Sequence, residues 1–448
     1  MATSTELKPF GSPTPFAEPL WYSRNLTPHY NESHRKLRAA IRAYVDDELL
    51  PYAFEWESAG EVPDWAFKRH TELGFHALHT KLDNVRLPGD IPLKDWDNWH
   101  TLIVTDELAR VVRSPKQNSR WFKFLIYEKG YTGVLWGLGG GSGIGVPPIV
   151  NFGTKEQKER FLHGVADGSI RFCLGITEPD AGSDVANIKT TAIRHGDHYI
   201  VNGSKKWITN GIWADYVTAA VRTGGPGAKG ISVLVVPLKV EGVTTRKMFN
   251  SGVGASGSTF IEFDNVKVPV SNLLHKEGRG FEVIMSNFNP ERKSMITSAI
   301  RMSRVCCEDA YRHASTRETF GKKLIENPII RAKFLKMGRL IEPAFAFLEQ
   351  LTWMMEESRK TGRTDVRIGG MTAMGKVMAT RCLESCVREA QQVMGGLGYS
   401  KGGKGGRIEA ISRDVRVMAV GGGSEEILSE LALREEAKDL FLYHKTKL

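Results

Sequence analysis

The chain has 448 residues, with 61 Lys and Arg against 51 Asp and Glu, so its formal charge is +10 at pH 7. Its 41% hydrophobic and 25% charged fractions are typical of globular proteins and exclude a mainly disordered, collagenous or coiled-coil chain. This length predicts two to four domains. No run of about 18 apolar residues occurs, so we expect no membrane span. The positive residues are scattered, which disfavours a nucleic-acid-binding stripe.

Cysteine usage and the chain ends bear on the compartment. Five cysteines, none in a Cys-x-x-Cys pair, predict neither a disulfide framework nor a zinc module, so we expect a reducing compartment and no metal. The first 30 residues show neither a secretory nor a transit pattern. The last three, Thr446-Lys447-Leu448, differ by one residue type from the peroxisomal Ser-Lys-Leu tail. Peroxisome, cytoplasm and mitochondrion therefore stay open.

Residues 1–168 have a helical hydrophobic period. After a capping candidate at Asn31, apolar residues recur at every fourth position, at Leu37, Ile41, Val45 and Leu49. Further helices are predicted after Pro63-Asp64, around residues 96–112 and over residues 154–165, with a glycine-dense bend at residues 137–145. We expect an N-terminal helical domain.

Residues 169–275 have the period of β-strands. Asn202-Gly203 lies between two short apolar runs and predicts a hairpin turn, as does Asp264-Asn265 further along. Residues 231–237 predict a buried strand. Short strands at this spacing predict a middle β-barrel or β-sandwich domain.

Residues 276–448 return to the helical period. Their apolar stripes predict four long helices, the last one capped by Ser424. Such helices favour a C-terminal four-helix bundle. The expected fold class is therefore α+β, with the three domains in this order along the chain.

One loop candidate carries chemical information. Residues 174–184 mix turn formers with hydroxyl side chains, and such a loop offers backbone N–H groups to a pyrophosphate or to the edge of a flavin. Trp207 and Thr209, two residues apart on one predicted strand face, could flank a planar ring and hydrogen-bond to its edge. The alternatives are a plain polar loop and a tryptophan in a strand core.

Five segments, in this order between about residue 30 and residue 440, resemble the acyl-CoA dehydrogenase family. They are residues 177–184 (Thr-Glu-Pro-Asp-Ala-Gly-Ser-Asp), 202–210 (Asn-Gly-Ser-Lys-Lys-Trp-Ile-Thr-Asn), 266–269 (Val-Lys-Val-Pro), 317–321 (Arg-Glu-Thr-Phe-Gly) and 392–399 (Gln-Val-Met-Gly-Gly-Leu-Gly-Tyr). The family has the domain order predicted above.

The resemblance implies FAD, bound non-covalently, and a homo-oligomer that is usually a tetramer. Residues 174–183 would hold the flavin and the pyrophosphate, and Arg317 and Phe320 would reach the cofactor of a neighbouring subunit. The full set of implied cofactor residues is Leu174, Ile176, Thr177, Gly182, Ser183, Trp207, Ile208, Thr209, Arg317, Phe320, Gln392, Gly395, Gly396, Ser424 and Glu426.

The family also needs a carboxylate base to remove the α-proton of an acyl-CoA. The commonest position, in a Tyr-Glu-Gly-Thr run, is Gly422 here. In the isovaleryl and long-chain branches the base lies on an earlier helix, where this chain has Glu291, 26 residues before Arg317. Pro290 is suited to a first helical turn, which would place Glu291 at a helix start. Glu291 is the predicted base, with Glu425 and Glu426 in reserve.

The predicted reaction turns an acyl-CoA into a trans-2-enoyl-CoA, with hydride transfer to flavin N5. An electron-transferring flavoprotein or oxygen would accept the electrons. The expected substrate contacts are Ser183, Asn289, Arg292, Gly422 and Gly423.

Two alternatives stay open. If Glu291 only complements a helix dipole, the chain is a non-dehydrogenating flavoprotein of the nucleic-acid-binding, alkylation-response type, although nucleic acid is not the expected partner. The other alternative is a biosynthetic desaturase that acts on an unusual ester.

Overall fold

The computed structural model describes residues 9–24, 27–111, 132–363 and 367–445. The chain folds into two compact units, each formed from separate stretches of the sequence. The helical unit takes the described residues of 1–54, 96–131 and 292–448, and the sheet unit takes 55–95 and 132–291. The C-terminal tripeptide lies outside the described residues, so a peroxisomal signal stays a prediction.

Helices dominate the described residues at both ends of the chain. They are α1 (Leu20–Arg24), α2 (Glu32–Tyr44), α3 (Ala53–Ala59), α4 (Asp64–Glu72), α5 (Asn98–Leu108), α6 (Thr132–Gly145), α7 (Pro147–Phe152), α8 (Lys155–Ala166), α9 (Gly280–Thr316), α10 (Pro328–Thr361), α11 (Gly369–Met394), α12 (Gly406–Val420) and α13 (Glu425–Lys445). In the described residues, no helix combines the length and the apolar character that crossing a membrane requires.

The strands lie mainly in the middle of the chain. They are β1 (Phe172–Gly175), β2 (Thr191–His195), β3 (His198–Ile208), β4 (Tyr216–Arg222), β5 (Ile231–Pro237), β6 (Val243–Lys247), β7 (Thr259–Pro269), β8 (Leu273–Leu274), β9 (Glu318–Thr319) and β10 (Lys322–Lys323). One sheet has the order β6-β7-β3-β2-β4-β5-β8, and β1 pairs in parallel with β4. This is the predicted α+β arrangement, a β region between helical regions. The predicted limits at residues 168 and 275 stay a prediction.

The first long helix follows its sequence pattern. Asn31 is the N-cap of α2, and its side chain accepts hydrogen bonds from the backbone N–H groups of Ser33 and His34. Leu37 and Ile41, on one face of α2, are buried. Helix α2 packs on α5 within the helical unit, and α11 packs on α10, α12 and α13.

The glycine-dense bend was a wrong prediction, because residues 132–145 form helix α6. Gly137, Gly141 and Gly145 are spaced four residues apart and therefore share one face. A Cβ at these positions would lie 2.4 Å from the Ala255 carbonyl oxygen, 2.7 Å from that of Phe172 and 2.6 Å from that of Cys173, respectively. The glycines thus allow the helix to lie directly on the backbone of the sheet unit, a gain that outweighs their low helix propensity.

The two predicted Asn turns were also wrong, because β3 and β7 each run through them. The register shifts at one β-bulge, where residues 264 and 265 of β7 lie opposite the single residue Asn202 of β3. The Asn265 N–H donates to Asn202 Oδ1 at 2.8 Å and replaces a ladder bond. The hairpin turn lies instead at residues 196 and 197, between β2 and β3.

Pro290 does not begin a helix, which corrects the predicted place of Glu291. Helix α9 runs from Gly280 to Thr316 with Pro290 in its interior. A proline removes one intrahelical hydrogen bond, but buried residues on both sides, such as Val283 and Ile296, keep the helix continuous. Glu291 is therefore an interior helical residue, and the helix-dipole interpretation loses its premise.

Candidate active site

Residues 174–183 leave strand β1 as a tight, ordered loop. The N–H of Glu178 donates to the Ala181 carbonyl at 3.0 Å, and the N–H of Ala181 donates back at 3.3 Å. The N–H of Lys206, on β3, donates to the Thr177 carbonyl at 2.9 Å. Gly182 and Ser183 follow this turn and are exposed. Backbone hydrogen bonds thus hold the first part of the loop in place, while its last residues are exposed to solvent.

A buried ion pair anchors this loop. Lys205 Nζ lies 2.8 Å from Glu178 Oε1 and also donates to the Ile176 carbonyl at 3.1 Å. The Glu178 carboxylate accepts two further hydrogen bonds, from the N–H groups of Lys189 and Thr190. Burial lowers the pKa of Lys205 to about 8, and Glu178 partly offsets this. Burial raises the pKa of Glu178, but Lys205 and the N–H donors lower it overall.

Sequence reasoning assigned no role to either member of this pair. A signal was present, because Lys205 stands at a strand position whose side chain faces the core. The missing information was its partner, Glu178, which lies 27 residues away along the chain.

The donor groups on the sheet unit fit a flavin. Thr177 and Thr209 are half-buried and Ser183 is exposed, and in the described part of the chain nothing hydrogen-bonds to their hydroxyls. A Cβ at Gly182 would meet no atom within 4 Å, so backbone N–H groups there are approachable. Hydroxyl and backbone N–H donors suit the polar edge of an isoalloxazine ring and a pyrophosphate.

Trp207 and Thr209 do not share a strand face as predicted. β3 ends at Ile208, and Trp207 has a left-handed φ of 59°, so simple alternation of side chains fails here. The Trp207 side chain is 50% exposed, whereas the Ile208 side chain is buried in the sheet core. Ile208 therefore offers only backbone groups to a ligand, while the Trp207 ring is available for stacking.

Hydrogen bonds made by the Asn210 side chain link the turn at residues 207–210 to helix α6. Its Oδ1 accepts from the Gly141 N–H at 2.7 Å, and its Nδ2 donates to the Trp136 and Ser256 carbonyls at 3.0 and 2.9 Å. Its own φ is 61°, a left-handed value that asparagine tolerates. The turn that carries Trp207 and Thr209 is thereby held in one conformation.

Arg317 and Phe320 lie on the surface of the helical unit. Strands β9 and β10 form a hairpin whose two-residue turn is Phe320-Gly321, with φ values of 50° and 76°. This turn presents the Phe320 side chain fully to solvent, and Arg317 just before the hairpin is also exposed. An aromatic ring and a guanidinium at such a position can meet a ligand of another molecule.

Gln392, Gly395 and Gly396 also lie at the surface of the helical unit. Gly395 ends α11 with φ 60°, a conformation that favours glycine. A Cβ on either glycine would meet no atom within 4 Å, and Gln392 is exposed. These three residues offer an amide side chain and open backbone N–H groups.

The segment before α13 carries the reserve carboxylates. Glu425 pairs with Arg381, with 2.6 Å between Arg381 Nε and Glu425 Oε2. Glu426 is exposed, and hydrogen bonds from its own N–H and from the Ser424 hydroxyl lower its pKa. The Glu425 carboxylate is engaged by Arg381, and the lowered pKa of Glu426 makes it poorly suited to accept a proton, because a general base near neutral pH needs a raised carboxylate pKa.

Arg292 and the glycine loop at residues 421–423 are brought together within the helical unit. Arg292 Nε donates to the Gly422 carbonyl at 3.0 Å, and Arg292 itself is buried. Gly422 and Gly423 have φ values of 64° and 108°, which glycine adopts without strain. The residue that precedes Arg292 in α9 is Glu291, which is half-buried with its Oε2 atom shielded from solvent. Asn289 is half-buried too.

Three possible metal-ligating side chains meet elsewhere, at His34, Asp97 and His100. Asp97 Oδ1 lies 3.1 Å from His34 Nε2 and 2.8 Å from His100 Nδ1. His34 Nδ1 accepts from the Asn31 N–H, so its proton is on Nε2, which therefore cannot ligate a metal. The group is accounted for as the interlocked N-caps of α2 and α5.

Family models match nearly the whole chain. The acyl-CoA dehydrogenase N-terminal domain matches residues 31–116 and 125–169, the middle domain residues 173–266, and the C-terminal domain residues 278–436.

Similar proteins carry the same name. The acyl-CoA dehydrogenase AFT10-1 of Alternaria alternata is 49% identical over 96% of this chain and 98% of its own length. The acyl-CoA dehydrogenase apdG of Emericella nidulans is 42% identical over 98% of each chain. A probable acyl-CoA dehydrogenase from Mycobacterium abscessus, whose crystal structure is known, is 31% identical in sequence to this chain. The two structures superpose with a TM-score of 0.78 over 90% of this chain and 99% of that one.

The family matches, the similar proteins and the flavin-compatible donor groups all agree with the family resemblance of the five sequence segments. The predicted fold, the FAD cofactor and the enzyme class are confirmed. The chain belongs to the acyl-CoA dehydrogenase family and is an FAD-dependent acyl-CoA dehydrogenase.

Proposed function

We propose that this enzyme converts an acyl-CoA to the trans-2-enoyl-CoA with Glu291 as the base that takes the α-proton. The observation that supports it is the placement of Glu291 in the interior of α9, next to Arg292, which contacts Gly422. Gly422 stands where the commonest family pattern has its glutamate, and glycine cannot accept a proton. Since residue 422 supplies no carboxylate, we propose that the carboxylate of Glu291, which precedes Arg292 in the chain, takes its place.

The local environment suits proton abstraction. Glu291 is half-buried and its Oε2 atom is shielded from solvent. Shielding from solvent keeps water from competing with a bound substrate for this oxygen. The two reserve carboxylates lack this setting, since Glu425 is paired with Arg381 and Glu426 is exposed.

Each residue then has a role in one reaction. When bound, FAD supplies the acceptor for the hydride that leaves the β-carbon. Glu291 takes the α-proton on a carboxylate oxygen, and Arg292 holds the Gly422 carbonyl so that the loop keeps its shape. We assign Asn289 and Ser183 to contacts with the acyl-CoA, together with Gly422 and Gly423. The absence of a side chain at residue 422 leaves room for a branched or bulky acyl group.

The exposed residues of the helical unit support assembly. Arg317, Phe320, Gln392, Gly395 and Gly396 are exposed on a single chain. We propose that they complete the FAD site of a neighbouring subunit in a homotetramer, with Ser424 and Glu426 as further cofactor contacts. The electrons then pass to an electron-transferring flavoprotein or to oxygen.

Anaerobic mixing of the purified holoenzyme with a panel of straight and branched acyl-CoAs tests this function. We expect at least one member of the panel to bleach the flavin, and Glu291→Gln to abolish bleaching while FAD stays bound. Glu282→Gln is the matched control, because Glu282 lies on the same helix and pairs with Arg279. Bleaching of Glu291→Gln at the wild-type rate would show that another group is the base.

A further inference from the structure

A second buried cation contacts the glycine loop. Lys376, on α11, is only 1% exposed. Its Nζ donates to the Gly423 carbonyl at 2.9 Å and to the Ala419 carbonyl, which lies in the last turn of α12. With the bond from Arg292 to the Gly422 carbonyl, three backbone carbonyls in and beside the loop receive hydrogen bonds from two buried cations.

This loop needs external support. Three consecutive glycines lose more conformational entropy on ordering than any other tripeptide, so the loop is intrinsically mobile. Gly422 and Gly423 also have φ values of 64° and 108°, which residues with a side chain adopt only with strain. The loop therefore cannot be stiffened by side chains of its own, and hydrogen bonds from other elements must order it.

The position of Lys376 is also favourable electrostatically. Ala419 lies in the last turn of α12, where carbonyl groups carry partial negative charge. A lysine ammonium at this point satisfies the helix end and the loop with one group. Hydrogen bonds from a charged donor are also stronger than those between neutral groups.

We propose that Lys376 and Arg292 are positioning residues that fix the backbone of residues 421–423 for the acyl thioester. The inference rests on the proposed function, because it takes Gly422 and Gly423 as substrate contacts. Lys376 does not touch the substrate and acts through the loop. Its loss affects the binding and orientation of the acyl-CoA, not the identity of the base.

Two measurements on the FAD-loaded Lys376→Met variant test the proposal. The first is the rate of flavin bleaching at saturating acyl-CoA, using the panel member that wild type reduces fastest. The second is the affinity for crotonyl-CoA, followed by the change in flavin absorption during a titration. We expect bleaching to slow by roughly 10- to 100-fold, since misplacing a bound substrate by about 1 Å costs this much. Crotonyl-CoA should bind more weakly, and Lys376→Arg should recover part of both losses.

A purely structural role gives a different pattern. Cys386→Ala is the matched control, because it alters another fully buried side chain of α11. We expect this control to lower thermal stability alone. If Lys376→Met likewise keeps wild-type bleaching and crotonyl-CoA affinity, the proposal is wrong. If Lys376→Met does not accumulate, Lys376→Gln, which keeps one donor, supports or overturns the proposal by the same two measurements.

The two proposals fail separately. Crotonyl-CoA binding does not require a base, so weaker binding by Lys376→Met supports the positioning role even if Glu291→Gln bleaches normally. Conversely, an inactive Glu291→Gln together with an unaffected Lys376→Met would keep the base and overturn the positioning role.

Discussion

Replacing Lys205 by methionine removes the cation that holds the loop at residues 174–183. The ammonium is fully buried and bonds both Glu178, at 2.8 Å, and the Ile176 carbonyl, at 3.1 Å. With a pKa of about 8, Lys205 is protonated at pH 7, so the variant leaves the Glu178 carboxylate buried without its cation. We expect both a less stable sheet unit and weaker retention of FAD.

The magnitude follows from the burial of the pair. Removing one member of a buried ion pair costs about 3–5 kcal/mol, because the other charge stays desolvated. For a cooperative unit of about 200 residues this lowers the thermal midpoint by roughly 6–20 °C. If about 1.4 kcal/mol of this loss falls on the loop that binds the cofactor, FAD affinity decreases about tenfold.

Thermal unfolding with and without added FAD, and the FAD content after dialysis, measure these effects. Lys189→Met is the matched control, because it removes an exposed pair with Asp180 from the same region and should change stability by about 0.5 kcal/mol or less. The double variant Lys205→Met/Glu178→Gln should be more stable than Lys205→Met alone, since no buried charge is left. Equal midpoints and FAD contents for Lys205→Met and Lys189→Met would refute the reasoning.

Three further predictions concern the sheet unit. Gly141→Ala should destabilise it by about 1–3 kcal/mol in denaturant titrations, because the new Cβ overlaps the Phe172 carbonyl, while Gly225→Ala, with open space around it, should be neutral. Asn210→Ala should alter the flavin spectrum and lower FAD affinity by releasing the Trp207–Thr209 turn; an unchanged spectrum would contradict this. Burial lowers the pKa of His76 to about 4, so below pH 6.5 the unfolded chain binds a proton that the folded chain does not, and stability is lost as pH falls. Between pH 6.5 and 5, His76→Gln should remove about 1.6 kcal/mol of this loss, measured by denaturant titrations at both pH values.

The sequence alone determined the elements whose cause is local. Four-residue periodicity and the Asn31 cap predict α2, and a continuous apolar run predicts the buried strand β5. These signals succeed because helix caps and alternating faces depend on neighbours within a few residues. The motifs and their order also identified the family and its flavin, since each motif keeps its residues close together in the chain.

Only the tertiary structure decided the features that depend on distant partners. The glycines of α6 are helical because the backbone of the sheet unit lies against them. The bulge at Asn265 is stabilised by the hydrogen bond that its N–H donates to Asn202 on the neighbouring strand. The same reason explains Glu291, which is inside a helix because packing on both sides outweighs one hydrogen bond lost at Pro290. Burial and long-range contacts are properties of the folded chain, and a single sequence does not display them.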